Sequence, residues 1–353
     1  MPLEAWGWDE AWEAELPRPM DATAEVARVV GQERDRWSIQ TGSGPGRARL
    51  PSTSRAGPCP VVGDWVLVEH GPMPSDPWSI LAVLPRRSRF SRGSAGSGGS
   101  EQVLAANADT VWIVHGLDTP VNPRRLERYL ALAWESGASP EVVLTKADVA
   151  GDLESALVEV RRVALGVPVR VVSASDEASI GELGGSLGRG RTAALLGPSG
   201  AGKSTLVNLL AGRDLADTAA VRPRDHKGRH TTTRRELFMV AGGALLLDTP
   251  GLRELRVWDL DEGLELAFPE IGDLARGCRF DDCRHRTEPG CAVLDALHAG
   301  RLDASRLASF RKLQAEAEHQ ARKTDPRARA AAVSEHKTAL KTLKAHPKFK
   351  DRT

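Results

Sequence analysis

The sequence predicts a multidomain chain: a small OB-like β-barrel at the N-terminus, a central α/β domain, and a helical C-terminal region. Three observations predict it. From Ala22 to about Phe90 short β segments alternate with Gly- and Pro-rich turns, the pattern of a small closed barrel. Beyond the Gly/Ser stretch Arg92–Ser100, strands and helices alternate, which indicates a mostly parallel sheet with helices on both faces. After Gly277 that rhythm gives way to a loop holding three of the chain's four cysteines, followed by charged helical sequence. The expected divisions are an N-terminal extension (1–21), the barrel (22–91), a Gly/Ser linker (92–102), the α/β domain (103–270) and the C-terminal region (271–353).

The extension is acidic and carries Trp6, Trp8 and Trp12, unlike a signal peptide. Barrel strands are expected at Ala24–Val30, Arg34–Gln40, Asp64–Glu69 and Trp78–Leu84. An OB-like barrel is a common surface for RNA. The linker is flexible by composition. In the α/β domain, strands are expected at Thr110–Val114, Glu141–Leu144, Val167–Val172 and Ala193–Leu196, and helices at Arg124–Ser136, Leu153–Val163 and Lys203–Leu210. Leu237–Val240 and Ala244–Leu247 read as a hairpin ending at Asp248. Helices at Leu302–Lys323 and Arg327–Lys344 follow the cysteine loop.

The 353 residues carry a net charge of +1, which hides an asymmetry. From Arg301 onward there are 14 Lys and Arg against 6 Asp and Glu, so the remainder is net negative by seven. A basic tail is compatible with contact to a polyanion and equally with a solvated helical surface. No apolar run reaches the roughly 20 residues that span a bilayer, so no membrane role is expected. Cytoplasmic localisation follows, and a reducing cytoplasm favours metal binding over disulfides at the cysteines. No heptad or apolar patch points to self-association, so a monomer is expected.

Gly197-Pro198-Ser199-Gly200-Ala201-Gly202-Lys203-Ser204-Thr205 is a complete phosphate-binding loop between an apolar strand and a helix. Its backbone N–H groups and helix dipole suit phosphate, Lys203 reaches the β- and γ-phosphates, and Ser204 binds Mg²⁺. Asp248-Thr-Pro-Gly251 ends a strand where its carboxylate can hold Mg²⁺ through water and the Gly251 N–H can sense a γ-phosphate. The loop alone also suits a guanylate-kinase-like phosphotransferase, and a non-catalytic RNA-binding module is a third reading.

The base is read by another segment. Val142-Val143-Leu144 runs into Thr145-Lys146-Ala147-Asp148, in which the Asp148 carboxylate accepts from guanine N1–H and N2–H₂ while the Lys146 stem covers the ring. Adenine presents no such donor pair and would leave Asp148 unpaired. Thr145 stands where Asn is commoner. Ser173-Ala174 follows the next strand, where a backbone contact to guanine O6 is expected. These segments precede the phosphate loop, although in most GTPases they follow it, so the order is that of a circularly permuted P-loop GTPase domain hydrolysing GTP to GDP and phosphate.

Cys278, Cys283, His285 and Cys291 form C-x(4)-C-x-H-x(5)-C. Three thiolates and an imidazole suit one tetrahedral Zn²⁺, and with every position filled by protein the site is structural. The intervening residues are polar and turn-forming, so metal is what would hold the loop folded.

Together these marks resemble the ribosome small subunit-dependent GTPase A family. Gly228-Arg-His-Thr-Thr-Thr233, Val62-Gly63-Asp64-Trp65-Val66 and Ala105-Ala-Asn-Ala-Asp109 also match it, over about Ala22 to Leu297. The resemblance implies a GTPase whose turnover the 30S subunit stimulates. It also implies binding to that subunit and its 16S rRNA, and action as a switch in late maturation with release on hydrolysis. Leu252 occupies the place where many GTPases carry a water-orienting Gln. The resemblance points instead to His230 as the hydrolysis residue, with Thr232 or Thr233 completing Mg²⁺ coordination.

Overall fold

The structure, a computed structural model, describes residues 2–17, 23–51, 58–71, 73, 76–93, 101–213, 235–248 and 261–324. They divide into two compact units, Met1–Ser91 with Val103–Leu255, and Arg92–Gln102 with Arg256–Thr353.

In the first unit the N-terminal extension is folded. A 3-10 turn at Leu3–Trp6 precedes α1 (Glu10–Glu13), which Asp9 caps by accepting from the Trp12 amide. Trp8 meets Trp65 edge-on at 4.8 Å between ring centroids, and Trp12 is buried beside Leu67 and Leu84. Acidic composition hid this packing, because the order comes from aromatic contacts with distant residues.

Strands β1 (Ala24–Glu33), β2 (Arg36–Thr41), β3 (Pro45–Arg49), β4 (Trp65–Glu69) and β5 (Trp78–Val83) close in the order β1-β2-β3-β5-β4-β1. All pairs are antiparallel except β3–β5. Alternate residues (Ala27, Val29; Trp37, Ile39; Val66, Val68) fill the interior, as the strand period of two demands. β3 went unforeseen because Pro-Gly-Arg-Ala-Arg reads as a turn; only Ala48 is apolar, and it faces the core. A register shift between Val29 and Gly31 carries β1 onward, so that Gly31 and Gln32 pair with Glu236 and Arg235.

β6 (Arg89–Gly93) and β7 (Glu101–Ala106) pair as a ribbon, so both strands reach into the stretch read as linker. The six strands that follow are β8 (Thr110–Gly116), β9 (Ser139–Thr145), β10 (Val169–Val171), β11 (Thr192–Leu196), β12 (Arg235–Met239) and β13 (Leu245–Asp248). They lie in the order β10-β9-β8-β11-β13-β12, with only β12 antiparallel. The phosphate-loop strand β11 is central although fourth of these in the chain. That is the strand arrangement of a P-loop GTPase with its order permuted.

Helices α2 (Pro123–Glu135), α3 (Leu153–Val163), α4 (Glu177–Leu187) and α5 (Lys203–Ala211) accompany the sheet. Three glycines hid α4. One of them, Gly184, is where α4 approaches α5: a Cβ there would lie 3.0 Å from Leu210 Cδ2. Asp176 caps α4 by accepting from the Ala178 and Ser179 amides.

Arg28, on β1, is buried with 2% exposure and ties the N-terminus, barrel and sheet. It donates to Trp6 O (2.5 Å), Asn107 O (2.9 Å) and Thr192 Oγ1 (3.1 Å), and its guanidinium sits 5.0 Å from the Trp65 ring centroid. Burial lowers its pKa to about 10, against the pull of Asp109 and Asp64, so it stays protonated at neutral pH. Arg28→Ala strips three acceptors of their donor and is expected to cost about 3 kcal/mol. A lower thermal midpoint with red-shifted tryptophan emission is the outcome to measure.

In the second unit α6 (Asp261–Ala267) and α7 (Pro269–Ala275) precede the cysteine loop, and α8 (Ala292–His298) and α9 (Ala304–Thr324) follow it. Leu264, Phe268, Ile271, Val293, Ala296 and Leu307 are buried. Buried Arg306 pairs with Glu270 at 2.6 Å and covers the Phe268 ring. α9 matches the expected Leu302–Lys323 helix, whereas the expected Arg327–Lys344 helix lies outside the described residues. Among the described residues no helix is long and apolar enough to cross a membrane.

Candidate functional site

Among the described residues, the sequence-predicted nucleotide residues converge at the carboxyl ends of the parallel strands, where open α/β sheets bind ligands. After β11, Gly197, Gly200 and Gly202 all have positive φ (147°, 81° and 88°), which turns the loop back over the start of α5. At Gly197 a side chain would collide with the Val114 carbonyl of neighbouring β8. Pro198, Ser199 and Ala201 complete the loop, with only Ala201 of the three buried. Lys203, 8% exposed, donates to Gly197 O (2.7 Å) and Pro198 O (2.6 Å), so its ammonium lies against the loop. Ser204 is half-buried and Thr205 exposed on the first turn of α5.

The segment Thr145–Asp148 is bonded to this loop. Thr145, the last residue of β9, donates its hydroxyl to Ala201 O at 2.7 Å. Its methyl-bearing side chain packs at Gly202, where a Cβ would lie 3.1 Å from the same hydroxyl oxygen. A hydroxyl thus makes the bridge for which Asn is commoner. Asp148 accepts from Ser173 Oγ at 2.5 Å, and Ser173 also bonds Ser175 at 2.8 Å. The Ser173 hydrogen bond, and then Asp148's own backbone, hold this exposed carboxyl below its ordinary pKa. Asp148 therefore stays an acceptor throughout the neutral range. Ser173 enters through its side chain, which the sequence reading had not assigned, while Ala174 is exposed beside it.

Asp248 ends β13, which runs parallel to β11 with Leu247 opposite Ala194. Across the β12–β13 pair it faces Glu236. Directly opposed residues of an antiparallel pair lie on one face of the sheet, so the two side chains share a side. Glu236 carried no sequence signal, since register alone brings it there. His230, Thr232, Thr233 and Gly251 lie outside the described residues.

The cysteine cluster assembles in the second unit. Ligand atoms of Cys278, Cys283, His285 and Cys291 all lie within 4.8 Å of one another. Cys278 and Cys291 sulfurs are 3.9 Å apart, and His285 Nδ1 is 3.6 and 3.5 Å from them. Tetrahedral bonds of about 2.3 Å to sulfur and 2.0 Å to nitrogen put neighbouring ligands roughly 3.5–3.8 Å apart. The donors therefore fit one structural zinc.

Local devices hold them there. His285 adopts a left-handed φ of 56°, and its carbonyl accepts from Arg311 of α9. Cys291 caps α8, accepting from Leu294 N. Glu288 accepts from the amides of Arg284, Arg286 and Thr287, and backbone hydrogen bonds led by Arg286 lower its pKa to about 2. Burial, with the Cys291 and Cys278 sulfurs beside it, pushes the Cys283 thiol up to about 11. Three thiolates share such a space only with a cation among them.

Comparison with known proteins gives consistent matches. A model of the RsgA GTPase family matches residues 83–258. The chain is 44% identical over 340 residues to the small ribosomal subunit biogenesis GTPase RsgA of Opitutus terrae, covering 92% of each chain. It is 44% identical to the protein of the same name from Streptomyces coelicolor, over 95% of this chain and 92% of that one. The crystal structure of YjeQ from Thermotoga maritima aligns with a TM-score of 0.64 and 25% identity, covering 83% of this chain and 98% of that one. YloQ, described as a circularly permuted GTPase, aligns with a TM-score of 0.63 over 86% of this chain and 99% of its own, at 20% identity, which speaks to the fold.

Proposed function

The chain belongs to the RsgA GTPase family, and from that premise we propose that it is a 30S-stimulated GTPase that leaves the maturing small ribosomal subunit when GTP is hydrolysed. The observation that carries the nucleotide assignment is the Thr145–Ala201 hydrogen bond, which joins the guanine reader to the phosphate loop. In this reading Thr145, Lys146, Asp148, Ser173 and Ala174 hold guanine, and Gly197–Thr205 hold the phosphates. Ser204 and Asp248, with Thr232 or Thr233, are the residues for Mg²⁺, and the Gly251 amide senses the γ-phosphate. Magnesium held by these residues would supply positive charge to the phosphates. Lys203 stabilises the transferring phosphoryl group, and His230 orients the attacking water.

Contact with 16S rRNA is assigned to the barrel and the zinc region. A groove of about 700 Å³ on the barrel is lined by Arg36, Arg47, Arg49, His70 and Trp78, and among the described residues no ion pair engages those three arginines. Cationic side chains beside an aromatic ring suit phosphate and base together. Arg279, Arg284 and Arg286 flank the zinc ligands. The protein works as a cytoplasmic monomer.

The test is GTP turnover by zinc-replete protein with and without purified 30S subunits, with ATP as control. Slow GTP-specific turnover that rises at least tenfold on adding 30S subunits is expected, with His230→Ala losing most of that stimulated rate. Turnover indifferent to 30S subunits would remove the partner, and an unchanged His230→Ala rate would remove the role of His230.

A further inference from the structure

The turn after β8 belongs to none of the nucleotide motifs, yet it reaches into the base-reading segment. Asp118 Oδ2 lies 2.6 Å from Lys146 Nζ. We propose that Asp118 is a positioning residue for guanine recognition, holding the Lys146 stem as the platform that covers one face of the base. This rests on the assignment of Thr145–Asp148 as the guanine reader.

Three features build the arrangement. Lys146 has a left-handed φ of 58°, a conformation a lysine rarely adopts, and this directs its stem over Gly116. A Cβ on Gly116 would lie 2.6 Å from Asp118 Oδ1 and 3.4 Å from Lys146 Cδ, so the glycine makes the space in which the two side chains meet. The turn itself is pinned to the strand end that carries Lys146. Leu117 N–H donates to Thr145 O at 2.9 Å, and Thr119 donates to Gly116 O through its amide at 3.4 Å and its hydroxyl at 3.3 Å. Asp118 therefore keeps a fixed position relative to Thr145 and, through the Thr145–Ala201 bond, to the phosphate loop.

The chemistry follows from the shape of lysine. Its four-carbon stem is apolar and flexible, and it covers a ring well only when the ammonium is anchored beyond the ring. Asp118 supplies that anchor and leaves the methylenes for the base. With side-chain exposures of 33% and 42%, the pair is screened by solvent, so its effect is modest and weakens with salt.

The experiment is calorimetric titration of GDP, IDP and ADP into wild type, Asp118→Ala, Asp118→Asn, Lys146→Met and the Asp118→Ala/Lys146→Met double variant at low salt. Asp118→Ala is expected to raise the GDP Kd about threefold to fivefold. The IDP Kd should rise by the same factor, because the 2-amino contact made by Asp148 is untouched. Asp118→Asn, which keeps the side-chain shape, should weaken GDP less. In the Lys146→Met background the Asp118 change should add nothing, since it acts through the lysine. An unchanged GDP Kd in Asp118→Ala, multiplying effects in the double variant, or a collapsed IDP-to-GDP ratio would each overturn the proposal. Wild-type protein that binds ADP as well as GDP would overturn the guanine-reader assignment, and this proposal with it.

Discussion

Asp148→Asn is expected to convert a guanine site into a xanthine site. The Asp148 carboxylate faces solvent, is kept ionised by the Ser173 hydroxyl at 2.5 Å, and has oxygens free to accept from a base. Guanine offers two donors on one edge, so replacing one acceptor oxygen by an amide NH₂ sets donor against donor. Losing two charge-assisted hydrogen bonds and leaving polar groups unpaired should weaken GTP and GDP by about 10²–10⁴-fold. Xanthine carries an oxygen where guanine carries the 2-amino group, so xanthosine nucleotides should gain affinity in the same variant. Fluorescent GDP titration with GTP and XTP competition measures both arms. If Asp148→Asn bound GDP as wild type does, Asp148 would not be the base reader. The sign of the pH dependence is also set. A carboxyl with a lowered pKa loses its charge only as pH falls through that lowered value, so the preference for guanine over adenine nucleotides should persist from neutral pH down through the ordinary carboxylate range.

Removing zinc is expected to unfold the cysteine loop while leaving guanine-nucleotide binding in place. The stretch Arg279–Gly290 is mostly polar, its one aromatic residue, Phe280, is exposed, and only His285 is buried, with Cys283 and Glu288 half-buried. Its order comes from four donors converging within 4.8 Å, the Glu288 carboxylate gathering three amides, and Arg311 bonding the His285 carbonyl. Structural zinc contributes on the order of 10 kcal/mol to such small folds, comparable to a typical domain's whole stability. A strong chelator, or Cys291→Ser, should therefore abolish amide-exchange protection over Cys278–Ala299. The nucleotide domain has a separate core of Trp112, Val143, Leu195 and Leu206 among others, which contains none of the four ligands. The GDP Kd should accordingly stay within about twofold of wild type. A Kd that rises with the loss of metal would mean that the cluster supports the nucleotide site directly.

Much of the architecture was legible because its signals are local. Helix α3 falls at Leu153–Val163 as its periodicity predicts, and the strands before Thr145, the phosphate loop and Asp248 are apolar runs ended by polar motifs. The elements that escaped have weak local signals. β3 holds one inward apolar residue, α4 carries three glycines, and α6, α7 and α8 are seven residues each, too short to show a helical face. The N-terminal tryptophans gave a composition signal without a direction, since their partner Trp65 lies more than fifty residues away.

The sequence by itself determined the chemistry this chain carries. A phosphate loop, the tetrapeptide Thr145–Asp148 and a four-donor cluster that fits zinc are each written within a few residues, because each needs its groups close together on one turn or loop. Their order in the chain also determined the permutation. Only the tertiary structure decided what joins them. The Thr145 hydroxyl meets Ala201, Asp118 meets Lys146, Glu236 faces Asp248, and Arg28 collects acceptors from Trp6, Asn107 and Thr192. In these pairs the partners are 12 to 164 residues apart. Contacts of that range arise from strand order and register, which neighbouring residues do not encode one segment at a time.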